Sequence, residues 1–157
     1  MIDLVKVFKD YATTAEYEFA YGRKDIQNWE ITANATLSAG ESVLLLFPMI
    51  ESGNIDNSII HSWNVSTQLW LGRKFDTETV EEESVITGHS KLDETEEQKY
   101  DNRLKDLRDN LATYIKAVFC GESELELTGA RILREINQFD ENLDFVVAEI
   151  TFIADDS

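Results

Sequence analysis

The sequence predicts an α+β fold: a mainly antiparallel sheet, a short N-terminal helix and one long helix packed on it, and a C-terminal β-hairpin. Two segments, at the start of the chain and over Thr95–Cys120, repeat apolar residues at three- and four-residue steps, the helical period. Two others, Ser62–Leu71 and Leu143–Ile153, alternate apolar and polar residues singly, as a strand with one buried face does. The element order is helix, several strands, long helix, two strands.

In the first segment, Asp3 to about Ala15, the apolar positions are Leu4, Val5, Phe8, Tyr11, Ala12 and Ala15. Asp3 is a suitable N-cap, because its carboxylate can accept from the orphan N–H groups of the first turn. The aromatics of Glu16–Tyr21 then fall on alternate positions, and Gly22 ends that strand. Trp29–Leu37 alternates less cleanly and is a further candidate strand. Val43–Phe47 is a continuous apolar run ended by Pro48, which suits a strand buried on both faces. A polar turn is expected over Glu51–Asn57. In Ser62–Leu71, Trp63, Val65, Thr67, Leu69 and Leu71 share one face, and Asn64, Ser66, Gln68 and Trp70 the other.

The long helix carries one stripe, Tyr100, Leu104, Leu107, Leu111, Ile115 and Val118. Thr95 with Gln98 fits a capping box, and Gly121 is expected to end the helix in the left-handed conformation. Leu125–Gln138 reads as a long strand with a possible bulge at Gly129, and Asp140–Asn142 as the turn of the closing hairpin. In Leu143–Ile153, Val146, Ala148, Ile150 and Phe152 face one way, and Phe145, Val147 and Ile153 the other.

A chain of 157 residues fits a single domain, 1–157. Its hydrophobic share of 43% is enough for a core and excludes a wholly disordered chain. One cysteine, Cys120, allows neither an intrachain disulfide nor a cysteine-based zinc site. No basic-then-apolar leader is visible, so secretion is not expected. No apolar run is long enough to span a bilayer. Thirty-one acidic residues against fourteen basic give a formal charge of −17. Such a field repels nucleic acid and anionic lipid. The plainer reading is that many proteins are simply acidic. The charge is concentrated: Asp76–Asp101 holds ten acidic and two basic residues. Few apolar residues lie between Phe75 and Glu97, so a mobile acidic insertion is expected at about 75–94.

Catalytic constellations are hard to find. His61 and His89 have no His or Cys neighbour at ligand spacing. Asp76, Glu78 and Glu81–Glu83 lack the pattern of a calcium loop. Phosphate-binding glycine loops and the Gly-x-Ser-x-Gly elbow are missing. Cys120 ends a helix, a poor place for a nucleophile, and is expected to be a packing residue. Carboxylate pairs are inevitable among thirty-one acids and therefore uninformative. The chain is expected not to be an enzyme and to need no cofactor or metal. What stands out is apolar material that the core does not obviously claim. Trp70 lies on the polar-alternating face of its strand, and Phe47-Pro48-Met49-Ile50 carries an apolar run through a turn. Phe47, Met49, Ile50 and Trp70 are candidate interface residues, with Glu81, Glu82 and Glu83 as rim charges. The competing reading places Trp70 under a helix or the loop.

The Leu44–Pro48 stretch, the strand Trp63–Leu71 ending in Gly-Arg-Lys, the helix rhythm Asp101-Asn102-Arg103-Leu104-Lys105-Asp106-Leu107 and the closing strand Asp144–Ile153 carry a resemblance. In this order they resemble the small neck and tail-completion proteins of tailed bacteriophages, especially tail terminators, and their prophage copies. The likeness is one of architecture, without a signature residue, and does not require the acidic insertion. It implies a structural virion protein, resident in the host cytoplasm before assembly. Such a protein forms a ring, commonly a hexamer, and contacts tail-tube or connector proteins, with no catalytic residue, no cofactor, no membrane and no sequence-specific nucleic-acid binding. A negative lumen would let DNA slide without adhering. The alternative class is a small acidic binding protein, an immunity protein or nucleic-acid mimic, steered by its charge to a basic partner.

Overall fold

The computed structural model describes residues 2–22, 37–38, 40–74, 104–134 and 143–156. Helix α1, Leu4–Thr14, begins as expected: the Asp3 side chain accepts a hydrogen bond from the Lys6 N–H at 3.1 Å. Leu4, Phe8 and Ala12, one turn apart, are its buried face. Glu16 has a φ of +62°, and the Tyr17 N–H returns to the Ala12 carbonyl at 2.8 Å. That reversal takes Glu16 and Tyr17 out of the expected strand, and β1 is Glu18–Tyr21. It pairs in parallel with β2, Ser42–Leu46, every residue of which is buried.

Strand β3, Ile50–Asp56, occupies most of the segment expected to be a polar turn. Only Asn57 and Ser58 turn, with φ of +50° and +66°, the two left-handed residues of a tight hairpin. Glu-Ser-Gly-Asn has no apolar alternation, because β3 is exposed on both faces and takes its order from the ladder with β4. Strand β4 runs Ile59–Lys74, longer at both ends than the expected Ser62–Leu71. Strands β2 and β3 lie along the same edge of β4, at Leu69–Arg73 and Ile59–Ser66 respectively.

Helix α2 is described over Lys105–Gly121. The expected start at Thr95, the capping box and Tyr100 lie outside the described residues, as do the strand proposed over 29–36, the acidic insertion at 75–94 and the turn at 140–142. Strands β5, Leu125–Arg134, and β6, Leu143–Asp155, pair antiparallel, with the expected irregularity between Leu127 and Gly129. The strand order is β1-β2-β4-β6-β5, with β3 on β4. All contacts are antiparallel except β1 with β2.

Both helices lie on one face of the sheet. Leu104, Leu107, Leu111, Ile115 and Val118 are buried, together with Tyr114, against the inward residues Leu44, Leu46, Val65, Leu69, Leu71, Val146, Ala148, Ile150 and Phe152. The Phe8 ring meets those of Phe119 and Phe152 at centroid separations of 6.3 and 6.1 Å. Tyr114 joins the helices: its buried hydroxyl donates to the Phe8 carbonyl at 2.6 Å. Gly121 is the last helical residue and not left-handed, with Glu122 extended after it. Space explains the glycine there, since a side chain would run into the Tyr11 hydroxyl.

Leu107→Ala is expected to cost about 2–5 kcal/mol in chemical denaturation, the range for a buried leucine. Burial also pushes the Tyr114 phenol far above its ordinary 10.0. The native state then holds a proton that the unfolded chain loses above about pH 10, so stability falls as pH rises through that value. Tyr114→Phe is expected to cost about 1 kcal/mol at neutral pH and to flatten the alkaline loss.

Candidate interaction surfaces

The face of the sheet away from the helices carries a second, smaller cluster. Leu37, Val43, Leu45 and Phe145 are buried in it, with Phe47 and Trp70 packed half-buried against them. The Trp70 ring lies 5.2 Å from that of Phe47 and 5.9 Å from that of Phe145, centroid to centroid. Its indole N–H donates to the Gln68 side-chain oxygen at 3.2 Å. Gly72 stands opposite Phe145 in the β4–β6 ladder, and any side chain at 72 would enter the Phe145 ring. Gly72 thus lies inside β4, beyond the expected end of the strand at Leu71.

A single irregularity aligns the expected interface residues. Leu46 pairs with Leu69, and the Phe47 N–H donates to the Gln68 carbonyl at 3.1 Å. Ile50 then pairs with Ser66, so the edge has gained one residue at Pro48–Met49. Proline has no N–H to offer the ladder, which makes this a fitting place for the break. The Thr67 hydroxyl fixes it by donating to the Phe47 carbonyl at 2.8 Å. The extra residue returns Ile50 to the face that holds Phe47 and Trp70, while Met49 packs against the main core. Phe47, Pro48, Ile50, Gln68, Glu149 and Thr151 line a groove of about 640 Å³ there. Thus Phe47, Ile50 and Trp70 share a face, Met49 lies on the other, and Glu81, Glu82 and Glu83 fall outside the described residues.

Sequence reading missed the hairpin of β3 and β4. Ile50, Ile55, Ile59 and Ile60 are 73, 69, 59 and 36% exposed, four of the five exposed large apolar side chains among the described residues. Their alternation is broken at His61, which the register skips between Asn54 and Ile55. A polar ladder braces one side: Asn64 Nδ2 donates to Asn54 Oδ1, and Asn54 Nδ2 to Ser62 Oγ, both at 2.9 Å. The opposite edge of the sheet holds a groove of about 480 Å³ between α2 and β5, walled by Ile115, Phe119, Leu127 and Ile132. Cys120, expected to pack inside, is exposed at its end.

Ionic groups are few in these surfaces. Arg73 and Asp106 pair at 2.8 Å between the end of β4 and the first turn of α2, where a carboxylate also suits the helix dipole. The pair is largely exposed and contributes little. Among the described residues no three His, Cys, Asp or Glu side chains gather as metal ligands, and no helix is long and apolar enough to cross a membrane. No protein-family model matches the chain, and no curated protein matches it in sequence.

Gly72→Ala is expected to displace the Phe145 ring and cost about 1–3 kcal/mol, as overpacking does. Trp70→Ala removes a half-buried ring and should cost about 2 kcal/mol, less than the ~3–5 of a fully buried one. Thermal unfolding of the two variants and their double mutant checks the shared cluster: the two losses should fall short of adding.

Proposed function

We infer that this protein acts by occupying a place in a protein assembly and not by turning over a substrate. The best reading is a structural protein of the head–tail junction or tail terminus of a tailed bacteriophage, built into a ring by contacts between copies. The observation that carries it is the β3–β4 hairpin. Four isoleucines at 36 to 73% exposure crowd one hairpin of a chain with charge −17. Apolar side chains so grouped on an otherwise charged surface suit a contact with another protein. Among the described residues β1, β3 and β5 have no strand on their outer sides, which supports the same reading, because a ring larger than a dimer needs two different, complementary patches on each copy. The groove at Phe47, Pro48 and Ile50 offers a further surface to a tail-tube or connector neighbour.

Charge favours a second reading, that of an acidic binding protein for a basic partner. The two readings differ in the sign of their salt dependence. Copies carrying −17 repel one another, so self-association should strengthen as salt is raised from about 0.05 to 0.5 M and screening shortens the reach of the charges. Binding to a basic partner should weaken over the same range. Sedimentation velocity across that series, together with incorporation into particles by complementation, tests the assembly. A species that stays at 18.0 kDa throughout and never enters particles would sink it.

A further inference from the structure

The outer edge of β3 fits a second copy of itself. The geometry points to a two-fold contact in which β3 of one copy pairs antiparallel with β3 of another, about an axis through Asn54 perpendicular to the sheet. This inference goes beyond the ring reading: it joins copies in pairs and leaves the groove between α2 and β5 to other neighbours.

Room is the first argument. Among the described residues, β3 pairs only with β4. Strand β1 lies outside β2, with Tyr21 beside Leu46, and the Gly22 N–H donates to the Leu46 carbonyl at 3.1 Å. A strand added outside β3 therefore has to stop short of Leu46, and β3 itself does so. With Asn54 on the axis, the second copy's turn, Asn57–Ser58, stands opposite Glu51 and Ile50 and reaches no further. By the same symmetry its β2 and β1 lie beyond the turn of the first hairpin. The main-chain phase agrees. Asp56 and Ile59 flank a two-residue turn and so exchange both their main-chain hydrogen bonds. Ile55, and with it Gly53 and Glu51, then direct their N–H and C=O groups outward. In this register Gly53 meets the second copy's Ile55, so outward groups meet outward groups and the sheet continues antiparallel across the axis.

Shape is the second. A side chain built at Gly53 would touch Ile60 and Trp63, so these three share the helix-side face, and Ile55 joins them as the partner of Ile60. The nearest atoms to that position all belong to Ile60 and Trp63, on the β4 side. The second copy's Ile55 stands opposite Gly53 and enters the space from the outer side, while the first copy's Ile55 does the same to the second. Two side chains at 69% exposure are thereby covered, each by an Ile60 and a Trp63.

Hydrogen bonding is the third. Asn54, on the axis, faces the other way. Its Nδ2 donates to Ser62 Oγ and its Oδ1 accepts from Asn64 Nδ2, both at 2.9 Å. A primary amide has two N–H groups and two lone pairs on its oxygen, so those bonds use one of each. Two such amides across a two-fold axis satisfy the others reciprocally. The carboxylates also stay apart. Asp56 stands opposite the second copy's Ser52 on the Asn54 face, and Glu51 opposite its Asn57 on the helix-side face. An axis through Gly53 would instead set Glu51 against Ile55 and Asp56 against Ile50. The contact is isologous, the same patch on both copies, and closes at two.

Cysteine cross-linking and sedimentation test it on the full chain, with Cys120→Ser throughout so that no native thiol intervenes. Asn54→Cys puts one thiol beside the axis, and mild oxidation should give a reducible dimer of two 18.0 kDa chains on a denaturing gel, and nothing larger. Ile59→Cys lies on the same hairpin and is 59% exposed, but it is in β4, three strand spacings (~14 Å) from its twin and beyond disulfide reach, so it should stay uncross-linked. Ile55→Lys should melt like the parent and weaken self-association about tenfold or more. Cross-linking of Ile59→Cys as efficient as that of Asn54→Cys would mean random collision and overturn the contact. So would an Ile55→Lys variant that associates like the parent. Larger assemblies without the Asn54→Cys dimer would overturn it and leave the ring reading standing. A wild-type chain that stays monomeric at every salt concentration would overturn it too, and leave this edge to a partner of another kind.

Discussion

Thirteen consecutive pairs, from Ser62 with Asp155 to Lys74 with Leu143, join β4 to β6; β2, β3 and β5 attach to one of these two, and β1 attaches through β2. The ladder fixes which residues are inward. On the helix side it presents Val65, Leu69, Leu71, Val146, Ala148, Ile150 and Phe152, the floor on which α1 and α2 rest. On the reverse it presents Trp70 and Phe145. A slip of one residue would exchange the two sets and put the main core in water. Phe145 over Gly72 holds the register from the other side, since at no other position of this ladder is there a glycine in β4 to receive a ring.

The irregularities have to be placed against that regular ladder. One extra residue at Pro48–Met49 divides the edge into a buried strand, β2, and an exposed one, β3. It also sorts the Phe47–Ile50 run, sending Met49 to the core and leaving Phe47 and Ile50 outside. A second break at Thr128 lies in β5, the opposite edge. Bulges, charges and glycine are the means by which natural sheets keep their edges from indiscriminate pairing. Here β3 has Glu51, Gly53 and Asp56, and β5 has Glu126 and Arg131.

Elements with an apolar period were legible in the sequence. The stripe from Leu104 to Val118, the buried run Val43–Leu46 and the two faces of β4 and β6 follow from burial, which the period records. Strand β3 was illegible for the converse reason: it buries nothing, so its pattern carries no period, and only the ladder with β4 defines it. The boundary at Glu16 turned on a left-handed φ that no glycine announces. Gly121 was misread because a helix-end glycine suggests conformation, whereas the proximity of Tyr11 is a tertiary fact. Of the interface candidates, Trp70 and Phe47 lie off the main core but half-buried in a second apolar cluster, which the alternation of β4 alone did not reveal. The other three isoleucines of the hairpin were passed over because Ile55 lies inside, and Ile59 and Ile60 just after, what looked like a turn.

Charge and apolar surface set opposite limits on this molecule. Fully burying an isoleucine contributes about 1.5–3 kcal/mol. Two like charges brought to about 4 Å at a solvated surface cost about 1–4 kcal/mol, depending on how well water reaches them. The hairpin carries Ile50, Ile55, Ile59 and Ile60 alongside Glu51 and Asp56. Any contact it makes is therefore a close balance of two terms of similar size. A surface of isoleucines alone would stick to many partners, and acid alone would hold every acidic copy apart. Interleaved along the hairpin, with Ile50, Glu51, Ile55 and Asp56 on its outer strand, they require a partner that is apolar where the isoleucines are and cationic or solvated where the carboxylates are. That requirement is what distinguishes a specific neighbour from an accidental one.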